Sequence, residues 1–386
     1  MDRIKVILSG ICSLILTVGI ARFAYTPLLP IMREQAHLTE VTGGWLAAFN
    51  YAGYISGILL SAAMSQAHHK YIFFRITLVL AIFTTLGMGF TTNPIVWGAL
   101  RYVSGVCSVA GLIQASGMVL GWLTANGYQK ELGLHFSGMG LGILLSGIVC
   151  IALEQTVRWD GLWVIFGLLS LVFFVPAWFW MPRPANPVTN ATQVAAAAPV
   201  SNKWFGIMVA AYFCAGVGYV ISATFIVDIL KRLATFANQG ALVWIVVGLA
   251  AAPSSFLWDR VSRQLGQIPT LMIAYLLQVF AVLIPAFSES SLPNLVGAAI
   301  FGSTFIGIVS LTLNLIGNKY PQNPAKAMAR LTLSYGAAQI LAPIMSGYIV
   351  TLSGSYTWVL YITAAMMTLG TLLLVWLHQH NSTVKI

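Results

Sequence analysis

MPRPANPVTNATQVAAAAPVSN, residues 181–202, is the one long stretch of this 386-residue chain that carries no apolar run. Proline, alanine and small polar side chains fill it, and nothing in it can bury a core, so it reads as a linker. Its NAT triplet at Asn190 fits a glycosylation pattern but is most simply a chance match there. On both sides of the linker the chain is apolar almost throughout. Hydrophobic residues make up 59% of it, with only 19 basic and 9 acidic side chains. A soluble chain has about one charged residue in four. This one cannot clothe a water-facing surface, which excludes soluble enzymes, nucleic-acid binders and disulfide scaffolds. The net charge of +10 therefore has to be read by location.

Runs of about 20 apolar residues, each able to cross a ~30 Å hydrocarbon core as a helix, recur six times before the linker and six times after it. The first six spans fall near residues 6–29, 43–64, 72–91, 95–118, 133–153 and 161–180. The second six fall near 204–227, 240–258, 268–287, 293–316, 329–352 and 357–377. The connections are too short to fold alone. MDRIK plus an apolar stretch resembles a signal peptide, but the stretch is over-long, contains Arg22 and lacks a small-residue cleavage site, so a retained first helix is expected. Cys12, Cys107, Cys150 and Cys214 lie inside apolar runs with no paired spacing, and neither a metal, a cofactor nor an oxidised framework is expected.

An even number of spans places both ends on one side. With the ends inside, 13 basic residues fall in cytoplasmic segments (Arg3, Lys5, Lys70, Arg75 and Lys130 among them), while Arg33, Arg158, Lys231 and Arg232 fall outside. That bias is the positive-inside signature. The expectation is a multi-pass protein of a bacterial-type inner membrane with both termini cytoplasmic: a first bundle over 1–180, a linker over 181–202 and a second bundle over 203–386.

The two halves echo one another. Residues 138–147, GMGLGILLSG, and 337–347, AAQILAPIMSG, place small residues at matching positions 200 apart. VGIARFAYT from Val18 aligns with AGVGYVISA from Ala215, pairing Gly19 with Gly216 and Arg22 with Tyr219. Small residues four apart let membrane helices approach closely. Their recurrence in both halves fits an internal repeat, the architecture of an alternating-access transporter.

Six plus six spans around a central linker resemble the major facilitator superfamily over essentially the whole chain. SFLWDRVSR, residues 255–263, is similar to its GxxxDRxGR loop, keeping Asp259, Arg260 and Arg263 with serines at the glycine positions. Arg101 and Gly105 resemble its RxxxG motif, whereas Ile143 stands where the antiporter-linked motif has proline. GIARFAYTPLLP (19–30), NYAGY (50–54) and GYVISATF (218–225) look like its YbfB/YjiJ branch. The resemblance implies an all-α integral membrane fold of twelve helices in two pseudo-symmetric bundles. It also implies a gating role for Asp259, Arg260 and Arg263, and a central cavity lined by spans one, four, seven and ten.

Charges at membrane depth are expensive and are functional candidates by default. Arg22 and Arg101 each lie seven residues from the expected outer end of their span, about 10 Å deep at 1.5 Å per residue. Asn50 and Tyr219 share that level, with Tyr25 and Tyr54 on matching helical faces. These six are the candidate substrate-binding residues. Each has a plainer alternative: snorkelling or backbone carbonyls near Pro27 for the arginines, a helix–helix bond for Asn50, an interfacial belt for the tyrosines.

The acids are expected in outer loops, with Asp228 in a solvated pair with Lys231 and Arg232. Glu131 and His135 form an i, i+4 pair where span five begins and are the candidates for a co-transported proton, although solvation at a helix end is the simpler reading. With no carboxylate beside the arginines, a carboxylate or phosphate on the substrate would neutralise them. The expected function is secondary transport of a small solute, an organic anion, by a monomer. Broad-specificity efflux of drug-like or sugar-like compounds and a non-transporting sensor are the alternatives. A membrane enzyme would need a metal set or nucleophile pair that the sequence does not offer, and a channel would need pore-lining rings.

Overall fold

The computed structural model describes residues 2–128, 132–184, 202–236, 239–320 and 324–381. Most of the linker and Glu131 lie outside the described residues. The chain is all-helical. Among the described residues eleven helices are long and apolar enough to cross a membrane: Arg3–Gln35, Glu40–Ala63, Ala67–Met88, Pro94–Ala125, Leu134–Leu153, Trp159–Phe179, Asn202–Lys231, Gln267–Phe287, Ser291–Lys319, Lys326–Ser353 and Thr357–His380. Gly240–Ala251 and Ser254–Leu265 form a pair bent by 48° that makes a twelfth, the eighth in chain order. The sequence reading placed one span here, near 240–258. Pro253 has no N–H to continue the ladder and its ring crowds the preceding turn, so the helix bends at that point.

Two more departures from straight helices matter for the site. Span one contains a π-helical turn over Ile15–Ile20, and span four contains another over Ala110–Ala115. The two are packed together. Span one also continues through Pro27 and Pro30 to Gln35, six residues past the expected end, which leaves Arg22 near its middle. Prolines are tolerated inside membrane helices where neighbours satisfy the freed backbone.

Small residues fix how closely the spans approach. A Cβ at Gly53 would collide with the Tyr102 carbonyl, and one at Gly105 with the Asn50 carbonyl, so spans two and four touch backbone to backbone. Gly19 meets Gly142 between spans one and five, and Gly216 meets Tyr335 and Ala338 between spans seven and eleven. Gly19 and Gly216, which align in the sequence, thus each sit at a close helix crossing. Spans one and seven are the most enclosed, with 72% and 94% of their apolar windows buried, which puts them at the centre.

We call the side carrying the chain ends the terminal side and the other the distal side. The first six spans meet the last six along spans two and eleven, five and eight, and one and seven. Towards the distal side, Gly44 lies against the Pro343 carbonyl and Gly347 against the Glu40 carbonyl. Towards the terminal side, Gly117 and Gly121 of span four have open space in front of them, and Asn314 and Asn318 of span ten are exposed. Among the described residues these segments do not pack on one another to any extent. The distal ends are therefore joined, and on the terminal side spans four and ten part while spans five and eight still touch, Gly140 lying against Ala252.

Candidate functional site

The break in span one creates the site. The Ala21 N–H donates back five residues to the Leu16 carbonyl (3.0 Å), and the Phe23 N–H to Val18 (2.9 Å). The Thr26 N–H then turns to Phe23 (3.1 Å), which releases the carbonyls of Ala21 and Arg22 from the helical ladder. Unpaired carbonyls inside a bilayer cost several kcal/mol (about 1–3 in proteins). Span four supplies their partners. Arg101 donates through Nη1 to Ala21 O (3.1 Å) and through Nη2 to Arg22 O (3.3 Å), and the Ser104 hydroxyl donates to Ala21 O (2.6 Å).

Asn50 and Tyr25 complete this clamp. Asn50 donates through Nδ2 to the Arg101 carbonyl (3.0 Å) and to Ser104 Oγ (3.2 Å). The Tyr25 phenol donates to the Gly43 carbonyl (2.9 Å), and its ring centre lies 4.5 Å from the Arg101 guanidinium. Three of the six candidate residues are therefore occupied in holding span one against spans two and four.

Arg22 is placed differently. Its guanidinium lies 4.6 Å from the Tyr51 ring centre and 4.7 Å from that of Tyr54, and its Nε has no hydrogen-bond partner. Only 5% of the residue is exposed, and among the described residues no carboxylate forms an ion pair with it. Across the seam, Tyr219 packs edge-on against Tyr51 at 6.2 Å and lies nearly parallel to Tyr335 at 5.7 Å. Tyr51, Tyr335 and Tyr212 were not among the residues singled out from sequence. The signal was present for two of them: Tyr51 sits inside NYAGY, and Tyr212 and Tyr219 are seven apart on one helical face.

Arg22, Tyr25, Asn50, Tyr51 and Arg101 line one cleft with Ala223 and Thr224 of span seven. At about 10 Å³ it has room for roughly one water, so the conformation seen here encloses the site without space for a solute. A groove of about 540 Å³ runs between spans two and four, lined by residues including Trp45, Phe49, Ile95 and Tyr102. It carries no charged side chain and is suited to apolar chains.

Asp228 does not lie as the sequence reading had it. Asp228 is buried at 4% exposure and is no solvated pair: it accepts from Arg33 Nη1 of span one (2.5 Å) and from the Tyr356 hydroxyl (2.7 Å), with Arg232 at 3.6 Å. Glu40, the first residue of span two, takes both Arg33 and Arg232, and Glu34 takes Lys231 at 3.1 Å. The side chains come from both halves, brought together where the distal ends of spans one, two and seven converge, and they desolvate one another. Burial, and next the Asp228 carboxylate, hold the Tyr356 phenol well above its ordinary range, so it stays protonated and donates.

His135 is likewise no solvated helix end. It is fully buried between spans one and four, bonds Ser116 Oγ through Nε2 (2.8 Å) and has Nδ1 unpartnered, at a place where only a glycine, Gly10, leaves room for the ring. Asp259, Arg260 and Arg263 stand on the helix Ser254–Leu265 and not in a loop. Arg263 pairs with Asp259 of its own helix at 2.7 Å, and both are exposed.

Up to twelve candidate spans among the described residues, joined distally around a buried arginine, have the architecture of a membrane transporter, and the match to a family of transporters of the major facilitator superfamily places the chain there. Crystal structures of the nucleoside transporter NupG share the fold. A mutant form superposes with a TM-score of 0.77 over 97% of this chain and 99% of that chain at 12% identity. The unmutated form gives 0.74 over 98% and 99% at 13% identity. Residues 14–375 match the family model described as uncharacterised MFS-type transporter YbfB, and the chain belongs to that family. It is also 24% identical over 276 residues, 69% of each chain, to the uncharacterized MFS-type transporter YceJ of Bacillus subtilis (strain 168). It is a multi-pass membrane protein whose substrate is a small molecule.

Proposed function

We propose that the protein moves a small organic anion across a bacterial inner membrane by alternating access. In this reading a bundle over residues 1–180 and another over 203–386, joined by the linker 181–202, rock about the seam, and the unit is a monomer. The observation that carries it is Arg22: a buried guanidinium at the seam with an unpartnered Nε, lying over the Tyr51 and Tyr54 rings, with no carboxylate paired to it among the described residues. A desolvated cation of this kind is stabilised by a bound carboxylate, which strengthens as water leaves. Arg101 supports the reading indirectly, by holding the broken turn that presents Arg22. Tyr54 and Tyr219 face the same guanidinium or its neighbour Tyr51, and Asn50 and Tyr25 act through Arg101.

The reading does not require a coupled proton. His135 contacts Gly10, twelve residues and roughly 18 Å along span one from Arg22. The test is exchange in proteoliposomes loaded with small carboxylates: labelled carboxylate should enter against unlabelled carboxylate, and neutral or cationic compounds should not compete. Transport of a lipophilic cation or a neutral sugar in their place would favour broad-specificity efflux.

The terminal side is assigned to the cytoplasm on the basic bias of its loops. A single cysteine at Ser201 should resist an impermeant maleimide added outside intact cells, and labelling there would reverse the orientation. The exposed Asp259–Arg263 pair is assigned a gating role: it is free to exchange its own helix for neighbouring helix ends when the terminal side shuts. Asp259→Asn should slow exchange several-fold while substrate binding at equilibrium is unchanged. Unaltered turnover would remove that role.

A further inference from the structure

Three side chains that line the cleft at Arg22 each keep one polar atom without a partner: Arg22 Nε, Arg101 Nε and Asn50 Oδ1. The residues are 5%, 3% and 0% exposed, so none of these atoms is served by bulk solvent. Two are N–H donors on cations, and the third is a carbonyl acceptor.

Asn50 is not free to reverse this pattern. Its amide nitrogen donates to the Arg101 carbonyl at 3.0 Å, and a carbonyl only accepts, so the nitrogen must lie there. Its second partner, Ser104 Oγ, spends its single proton on the Ala21 carbonyl and so also accepts from Asn50. The oxygen is therefore the end left over. The joint between spans two and four uses the nitrogen alone, and a buried acceptor left unpaired is costly. The cleft is also shared between the halves, with Ala223 and Thr224 of span seven among its lining residues.

A ligand complementary to this set presents oxygen lone pairs to the guanidinium and a donor to Asn50. A plain carboxylate answers only the first demand. An ammonium group would donate, but it would stand beside two guanidiniums, neither paired with a carboxylate among the described residues. A hydroxyl donates without that repulsion. Because the cleft measures only about 10 Å³, the hydroxyl belongs on the carbon next to the carboxylate.

We infer that the substrate is a 2-hydroxycarboxylate, with Arg22 binding the carboxylate and Asn50 Oδ1 accepting from the hydroxyl. This rests on the reading of Arg22 as the anion-binding residue and adds the group that selects among anions. Asn50 is then a specificity-determining residue as well as a support for Arg101. A site built to bond a substrate hydroxyl rejects the analogue that lacks it, because its own buried group is left unpaired.

Four probes of nearly one shape separate the two claims. Lactate carries the hydroxyl and the charge. Isobutyrate has a methyl in place of the hydroxyl, alanine an ammonium in the same place, and lactamide keeps the hydroxyl without the charge. Binding to the full chain in lipid nanodiscs should rank lactate about five- to a hundredfold above isobutyrate, with alanine and lactamide undetectable. Asn50→Ala should bring lactate down to the level of isobutyrate. Ser104→Ala, which removes a partner of the amide nitrogen but keeps Oδ1, should leave the ratio of the two as it was, whatever it does to both affinities. Melting temperatures of both variants report on loss of fold, and the ranking in the unaltered protein does not depend on either variant. Equal affinity for lactate and isobutyrate, a preference that survives Asn50→Ala, or alanine binding as tightly as lactate would overturn the hydroxyl assignment and leave the anion reading standing. Lactamide binding as tightly as lactate would overturn the anion reading, and no binding of either carboxylate would remove both.

Discussion

Replacing Arg22 by lysine is expected to weaken substrate binding about ten- to a hundredfold, and replacing it by alanine to abolish exchange. Lysine keeps the positive charge but loses the planar fork that grips both oxygens of a carboxylate, and a charge-assisted hydrogen bond is worth about 1.5–3 kcal/mol. The ammonium would also lose the delocalised surface that now rests on Tyr51 and Tyr54 at 4.6 and 4.7 Å. Arg101→Lys should behave differently. Its guanidinium holds the Ala21 and Arg22 carbonyls, so the change should lower the melting temperature and affinity together. Equilibrium binding and thermal unfolding of the two variants side by side separate the roles. Full activity of Arg22→Ala would eliminate Arg22 as the anion site.

The second large effect is expected at the distal seal. Asp228 accepts from Arg33 across the seam, and Asp228→Asn or Arg33→Ala removes a charge-assisted bond made only while the distal ends are joined. A loss of about 1.5–3 kcal/mol would raise the distal-open population roughly ten- to a hundredfold. The readout is a lone cysteine at Ser346, buried in span eleven next to Gly347, where that span meets Glu40. In a background without native cysteines, an impermeant maleimide should reach it faster in either variant. Because the two residues form one pair, the double variant should react little faster than either single one. Unchanged labelling in both single variants would show that close packing at Gly44 and Gly347 holds the seal without the ions.

Much of the scaffold was legible beforehand. Hydropathy gave the spans because a ~30 Å apolar core imposes a minimum length on each of them, and the small residues of spans five and eleven marked real backbone contacts. Arg22 and Arg101 stood out because charge is costly in hydrocarbon. What the sequence could not distinguish was the state of the two: both are buried arginines with no acid nearby in the chain. Two guanidinium nitrogens of Arg101 are satisfied by carbonyls released at a π-helical turn in another span, whereas Arg22 lies over the rings of Tyr51 and Tyr54, and each keeps an unpartnered Nε.

The distal charges were misread for a related reason. Glu40 and Asp228 each look like a solvated residue at a helix end, and Arg33 is 195 positions from its partner Asp228. Local periodicity gives which face of a helix a side chain takes, but not which helix that face meets.

By itself, then, the sequence determined that the chain is a bundle of membrane spans, with two costly cations buried in spans one and four. Only the tertiary structure decided that Arg101 is bonded to carbonyls of span one while Arg22 rests against Tyr51 and Tyr54 at the seam. Whether a buried charge is satisfied depends on the backbone and side-chain groups that other helices bring to it. Crossing angles and local breaks fix those groups, and neither is written in the apolar pattern of a single span.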